Sequence, residues 1–175
     1  LYANIDGFEY KEAQIEISKR PEIDRWILSE LNSLIKKVDH DLDNYDLTPA
    51  ARDINDFVQE KLSNWYVRLC RRRFWKGEYN ADKISAYQTL YECLLTVGKL
   101  ISPVAPFYSE HIFQSLNNVT NKEDFESVHL SKFPDSFSDL IDNNLENKIN
   151  QVRNICSLAL SIRKKEKIIS SSKNI

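Results

Sequence analysis

Residues 61–76 read KLSNWYVRLCRRRFWK. They gather six basic side chains (Lys61, Arg68, Arg71, Arg72, Arg73, Lys76), four aromatic ones (Trp65, Tyr66, Phe74, Trp75) and no acidic one. The whole chain has a formal net charge of −2, so this positive charge is local. Guanidinium and ammonium groups neutralise phosphates, and flat rings set among them stack on exposed bases. Such a mixture suits a polyanion that also offers its bases, with single-stranded or looped RNA the first to consider. The competing reading is a helix that buries its rings and solvates its arginines.

Other chemistry has little to stand on. The sequence holds no glycine-rich phosphate loop, no Gly-x-Ser-x-Gly and no His-Glu-x-x-His. None of Glu30, Glu60, Glu92 or Glu110 has a histidine three residues on, as a di-metal bundle would require. His40, His111 and His129 fall in three separate segments, and Cys70, Cys93 and Cys156 form no Cys-x-x-Cys pair. No catalytic residue, metal ligand or cofactor site is expected in this chain, and the cysteines read as free thiols of a reducing compartment.

The elements that must position the basic strip follow from apolar spacing. Three glycines and five prolines in 175 residues, with little β-branched alternation, predict long helices. Ile23, Ile27, Leu31, Leu34, Val38 and Leu42 make one stripe on a helix whose first turn holds Pro21. Thr48-Pro49 is a cap and first-turn proline for a second helix reaching Trp75 and stopped by Gly77. Its stripe is Ala51, Ile54, Val58, Trp65 and Leu69, with Leu62 beside it. A third helix begins near Asp82 and turns Ile84, Tyr87, Tyr91, Leu94, Leu95 and Ile101 inward.

Ser102-Pro103 and Ala105-Pro106 mark a tight junction before a fourth helix holding Phe107, Ile112, Phe113 and Leu116. Residues 117–136 read as a connector in which Val128-His129-Leu130 is extended. A fifth helix from about Ser138 carries Ile141, Leu145, Ile149, Val152, Cys156 and Ala159, and ends in the basic run 163–167. The fold class expected is all-α, an antiparallel bundle of about five helices. No apolar run approaches the length needed to cross a bilayer, and no secretory signal precedes the first helix. With no methionine and Leu1 first, the sequence reads as a piece of a longer protein.

On regular helical winding Asn64, Arg68, Arg71 and Trp75 share one flank beside the buried stripe. Arg73 falls on the other flank, and Lys76 follows the last turn. Arg72 lines up with Ile54 and Trp65 on the core side, so it must meet a carboxylate or mark a bend. Trp65 reads as core; Trp75, near the helix end, is the better stacking ring, with Tyr66 a second.

Three segments carry a family resemblance: Asp24-Arg25-Trp26-Ile27-Leu28-Ser29, Asn64-Trp65-Tyr66-Val67-Arg68 and Arg71-Arg72-Arg73-Phe74-Trp75. With residues 100–107 (LISPVAPF), 127–130 (SVHL) and 162–165 (IRKK), they resemble the anticodon-binding domain of isoleucyl-tRNA synthetases, in order, over nearly the whole chain. The Asp-Arg-Trp opening is shared more loosely with valyl and leucyl relatives.

The resemblance implies a helical domain, at residues 21–167, that follows a catalytic domain; residues 1–20 would end the passage from it. It implies tRNA-Ile, held by its anticodon arm, as partner, and Asn64, Arg68, Arg71, Arg72, Arg73, Trp75 and Lys76 as the RNA-binding residues. The parent would be a cytoplasmic isoleucine–tRNA ligase using ATP and Mg. Its catalytic signatures, of the His-Ile-Gly-His and Lys-Met-Ser-Lys-Ser types, are absent from this chain. Residues 168–175 depart from the family's continuation and stay unassigned. Two alternatives remain: a protein-interaction module with a basic docking strip, and the equivalent domain of a valyl or leucyl synthetase.

Overall fold

The computed structural model describes residues 2–76 and 78–166. The expected stop at Gly77 and the readings of Lys167 and of residues 168–175 lie outside them. The described residues are helical without strands: α1 (Tyr2–Ile5), α2 (Glu22–Asp43), α3 (Leu47–Asp56), a wide π-helical stretch (Phe57–Val67), α4 (Arg71–Trp75), α5 (Ala81–Leu100), α6 (Pro106–Thr120) and α7 (Asn143–Lys165). This is an all-α bundle. Two compact units divide the chain, Leu1–Ile141 and Asp142–Ile175. Among the described residues no helix is long and apolar enough to cross a membrane.

In the first unit α2 is central. Its stripe is Ile27, Leu31, Leu34 and Val38, and Trp26, Leu28 and Ile35 are buried as well, so neighbours cover it on several sides. Pro21 sits one residue before the helix rather than inside it, while Glu22 and Asp24 occupy the first turn, where negative charge suits the helix dipole. Asn44, Tyr45 and Asp46 turn the chain, with Tyr45 at φ 61°, and α3 starts at Leu47. Thr48 is therefore within the helix and caps nothing. Pro49 still lies in the first turn, where its missing N–H costs no hydrogen bond.

The structure departs most from expectation after Asp56. Hydrogen bonding from residue i to i+5 widens the turns, so each residue advances by a smaller angle than in an α-helix. The inward face moves one position along the sequence: Tyr66 is buried rather than Trp65, and Cys70 rather than Leu69. Leu69 is 56% exposed. At Cys70 (φ −81°, ψ 2°) the helix breaks and α4 begins, with its Arg73 N–H donating to the Cys70 carbonyl at 2.9 Å.

Asn80 caps α5 by accepting from the Lys83 N–H at 3.1 Å. This helix is buried on several faces too, with Gln88 and Thr89 fully inside. Both serve residues 2–20, which wrap along it as a strap. Gln88 donates to the Ala13 carbonyl (3.1 Å) and accepts from the Ile15 N–H (2.9 Å). The buried Arg20 donates to Thr89 Oγ1 and Glu92 at 2.9 Å each.

α6 packs on α5, where Ile112 Cγ2 would stand 3.3 Å from a Cβ placed on Gly98. Phe113 is its core anchor, whereas Phe107 is 91% exposed. The expected extended stretch is instead a 3₁₀ turn, Val128–Leu130. Ser127 Oγ accepts from the His129 N–H there, and the Val128 N–H donates to Glu110 at 2.9 Å. Ser138–Leu140 is another 3₁₀ turn. The second unit holds α7, which starts later than expected, at Asn143; Asp142 caps it by accepting from the Leu145 N–H at 2.9 Å. Arg163, Lys164 and Lys165 complement the dipole in its last turn.

Candidate nucleic-acid interface

The six cations of residues 61–76 divide into two groups. Lys61 pairs with Glu30, whose side chain is buried on α2. Arg73 is taken up entirely: its two terminal nitrogens reach the Asp24 carboxylate at 2.6 and 2.8 Å, and its Nε reaches Asp82 at 2.9 Å. Arg68, Arg71, Arg72 and Lys76 are exposed and form no ion pair among the described residues.

Asp24 organises the inner side. It is fully buried and accepts from Arg73, from Tyr66 Oη at 2.9 Å and from Ser85 Oγ at 2.7 Å. A buried carboxylate is tolerable when a guanidinium grips it from two nitrogens and hydroxyls fill its remaining lone pairs. Burial disfavours the charge on Arg73, but the Asp24 carboxylate outweighs that and its pKa rises. Burial, then the Asp24 charge, pushes the Tyr66 hydroxyl well above the usual phenol range. Burial raises the Cys70 thiol too, against the pull of Arg73.

These placements change individual readings. Arg72, expected to turn inward, faces solvent, because the wide turns bring Arg73 to the carboxylate instead. Tyr66 is fully buried and offers no face to a base. Trp65 is half-buried. Trp75 is 55% exposed, with Lys76 Nζ 5.1 Å from the centre of one of its rings. Asn64 is exposed. Arg68 and Arg71 come together with Ser63 and Val67 along a groove of about 540 Å³. The partners of Arg73, Asp24 and Asp82, lie on other elements at separations of 49 and 9 residues, and nothing in the local spacing identified them.

The Tyr66 hydroxyl gives a pH test. Its raised pKa favours the neutral form in the fold, so its contribution is fully present below about pH 10, the phenol's ordinary value. Above that the unfolded chain releases the proton more readily, and stability falls. Tyr66→Phe should lower stability at pH 7 by about 1 kcal/mol and make its decline between pH 10 and 11 shallower than in the parent chain. Urea midpoints measured against pH check both; parallel declines would mean that burial and Asp24 together do not keep Tyr66 neutral.

Residues 24–174 match the model of a family described as the anticodon-binding domain of tRNA ligase. The chain is 51% identical over 168 residues to an isoleucine–tRNA ligase of Bacteroides thetaiotaomicron, covering 96% of this chain and 14% of that one. It is 54% identical over 168 residues to the isoleucine–tRNA ligase of Cytophaga hutchinsonii, covering 96% and 15%. With that of Dehalococcoides mccartyi it shares 52% over 164 residues, covering 94% and 16%. The chain thus spans 14–16% of the length of these relatives.

Proposed function

Because the chain belongs to the family of anticodon-binding domains of tRNA ligases, we propose that it is the tRNA-recognising part of an isoleucine–tRNA ligase and holds the anticodon arm of tRNA-Ile. The observation that carries this is the set of four exposed cations that form no ion pair among the described residues, in the same stretch as an exposed indole. In this reading Arg68, Arg71, Arg72 and Lys76 neutralise phosphates, Trp75 stacks on a loop base, and Asn64 donates to and accepts from a base edge. Arg73 stands behind them as the strut that fixes α4.

Aminoacylation with ATP and Mg is proposed to occur in a catalytic domain of the same cytoplasmic polypeptide, with residues 1–20 as the passage from it. Among the described residues no three of His, Cys, Asp and Glu gather as metal ligands.

The test is a gel shift with tRNA-Ile, a mismatched tRNA and polyglutamate as competitor. Preferential binding of tRNA-Ile supports the reading. Displacement by polyglutamate as easily as by tRNA favours an acidic protein partner instead, and better binding of tRNA-Val or tRNA-Leu would reassign the parent. Stacking has its own check: Trp75→Ala should weaken binding about tenfold, while Trp75→Phe keeps a ring and should cost far less. Equal losses in both would remove stacking from the account.

A further inference from the structure

Residues 128–140 run from α5 and α6 to α2 and, with these helices, form two adjoining clefts that RNA binding gives no role. The first, about 310 Å³, is walled by Leu28, Leu31 and Ile35 of α2, Leu95 of α5, and Phe133 and Phe137. The second, about 290 Å³, is lined by Ser102, Val128, His129 and Ser131. Lys99, Lys132 and Phe133 line both, which puts two lysines where the apolar cleft meets the polar one.

The crossing segment is pinned at both ends. Asn32 of α2 accepts from the Phe137 N–H at 3.0 Å through its side chain and from Ser136 Oγ at 3.1 Å through its carbonyl. Glu110 of α6 accepts from Ser127 Oγ and from the Val128 N–H, both at 2.9 Å. Fixed walls make a preformed site, and small-molecule sites have this size and this mainly apolar lining.

The charges decide which molecule fits. No Asp or Glu lines the second cleft. Lys99 donates to Glu123 at 2.7 Å, which leaves two of its ammonium hydrogens, and Lys132 is exposed and forms no ion pair among the described residues. The Ser102 and Ser131 hydroxyls donate to the Lys99 and Val128 carbonyls at 2.8 and 2.7 Å, so the lysines are the strong donors there. In the first cleft Glu92 is engaged by Arg20 and Tyr10, and Asp135 is exposed.

We propose that the paired clefts bind a small apolar carboxylate, its hydrocarbon body in the first cleft and its charged head on Lys99 and Lys132. No residue of 61–76 lines either cleft, so the site stands independently of the RNA-binding reading. A neutral apolar molecule would fill the first cleft and leave the lysines unanswered. An inorganic anion would satisfy the lysines and leave the apolar walls to water. A free amino acid would bring a third ammonium group against two others.

The test titrates the full chain with sodium octanoate by calorimetry, beside butanoate, hexanoate and 1-octanol. Affinity should rise about fifteenfold for each two added methylenes, and octanol should bind about tenfold more weakly than octanoate. Lys132→Gln should cost octanoate about tenfold and leave octanol unchanged, a split that a purely structural lysine would not give. Thr96→Phe places a ring in the first cleft and should abolish binding of both probes. Lys132→Gln, at an exposed position, decides the matter should Thr96→Phe fail to fold.

Octanoate that does not bind, or an affinity flat with chain length, would overturn the site. So would octanoate bound by both variants as by the parent chain, which would place the probe on exposed apolar residues such as Ile155 and Leu158 of α7.

Discussion

Asp24→Ala should destabilise the fold by about 3–5 kcal/mol, the usual cost of breaking a buried ion pair from one side. The carboxylate is fully buried and holds three side chains from three elements: Tyr66 of the wide-turned helix, Arg73 of α4 and Ser85 of α5. Removing it leaves the Arg73 guanidinium with Asp82 and the Cys70 sulfur, and the two hydroxyls without the Asp24 acceptor. A urea titration of the full chain checks this, read as a lower midpoint at unchanged slope. Asp24→Asn keeps the shape but loses the charge and part of the accepting capacity, so it should fall between the two. A loss under 1 kcal/mol for Asp24→Ala would mean that α4 is held mainly by Phe74.

The second large effect concerns binding. Arg68→Ala with Arg71→Ala should lower affinity for the tRNA-Ile arm by about a hundredfold, near tenfold for each charged contact. The slope of log affinity against log salt should flatten by about 1.4–1.8, two contacts at 0.7–0.9 each. Both side chains are exposed and have no carboxylate partner among the described residues, so stability should move by no more than about 0.5 kcal/mol. Arg73→Ala should behave the opposite way, lowering stability strongly and leaving the salt slope nearly unchanged. Filter binding at several salt concentrations separates the two patterns. A double variant with the parental slope would take Arg68 and Arg71 out of the interface.

Much of this was legible in residue order, and the misses share a cause. α2 is regularly wound, so Ile27, Leu31, Leu34 and Val38 pointed to its buried side correctly. The composition of residues 61–76 marked the stretch that carries four exposed cations and the exposed indole of Trp75. Which guanidinium faces outward was not legible, because extrapolating at 3.6 residues per turn through wider turns exchanges Arg72 for Arg73 and Trp65 for Tyr66. The sharpest clue was the awkward inward position of Arg72: a cation aimed at the core signalled either a partner or an irregularity, and both are present nearby. The strap was invisible for another reason. Residues 2–20 lack regular repeats, and their ties to α5 are single hydrogen bonds whose only sequence trace is Gln88 and Thr89 in a helix otherwise rich in apolar residues.

The division of cations into held and unheld has a kinetic corollary. The chain carries a net charge of −2, whereas Arg68, Arg71, Arg72 and Lys76 concentrate exposed positive charge in one short stretch, a patch that attracts a polyanion locally. An incoming nucleic acid would be turned toward that patch while still several ångströms away, within the roughly 8 Å reach of charge at physiological ionic strength. Added salt would then slow capture more than it shortens residence.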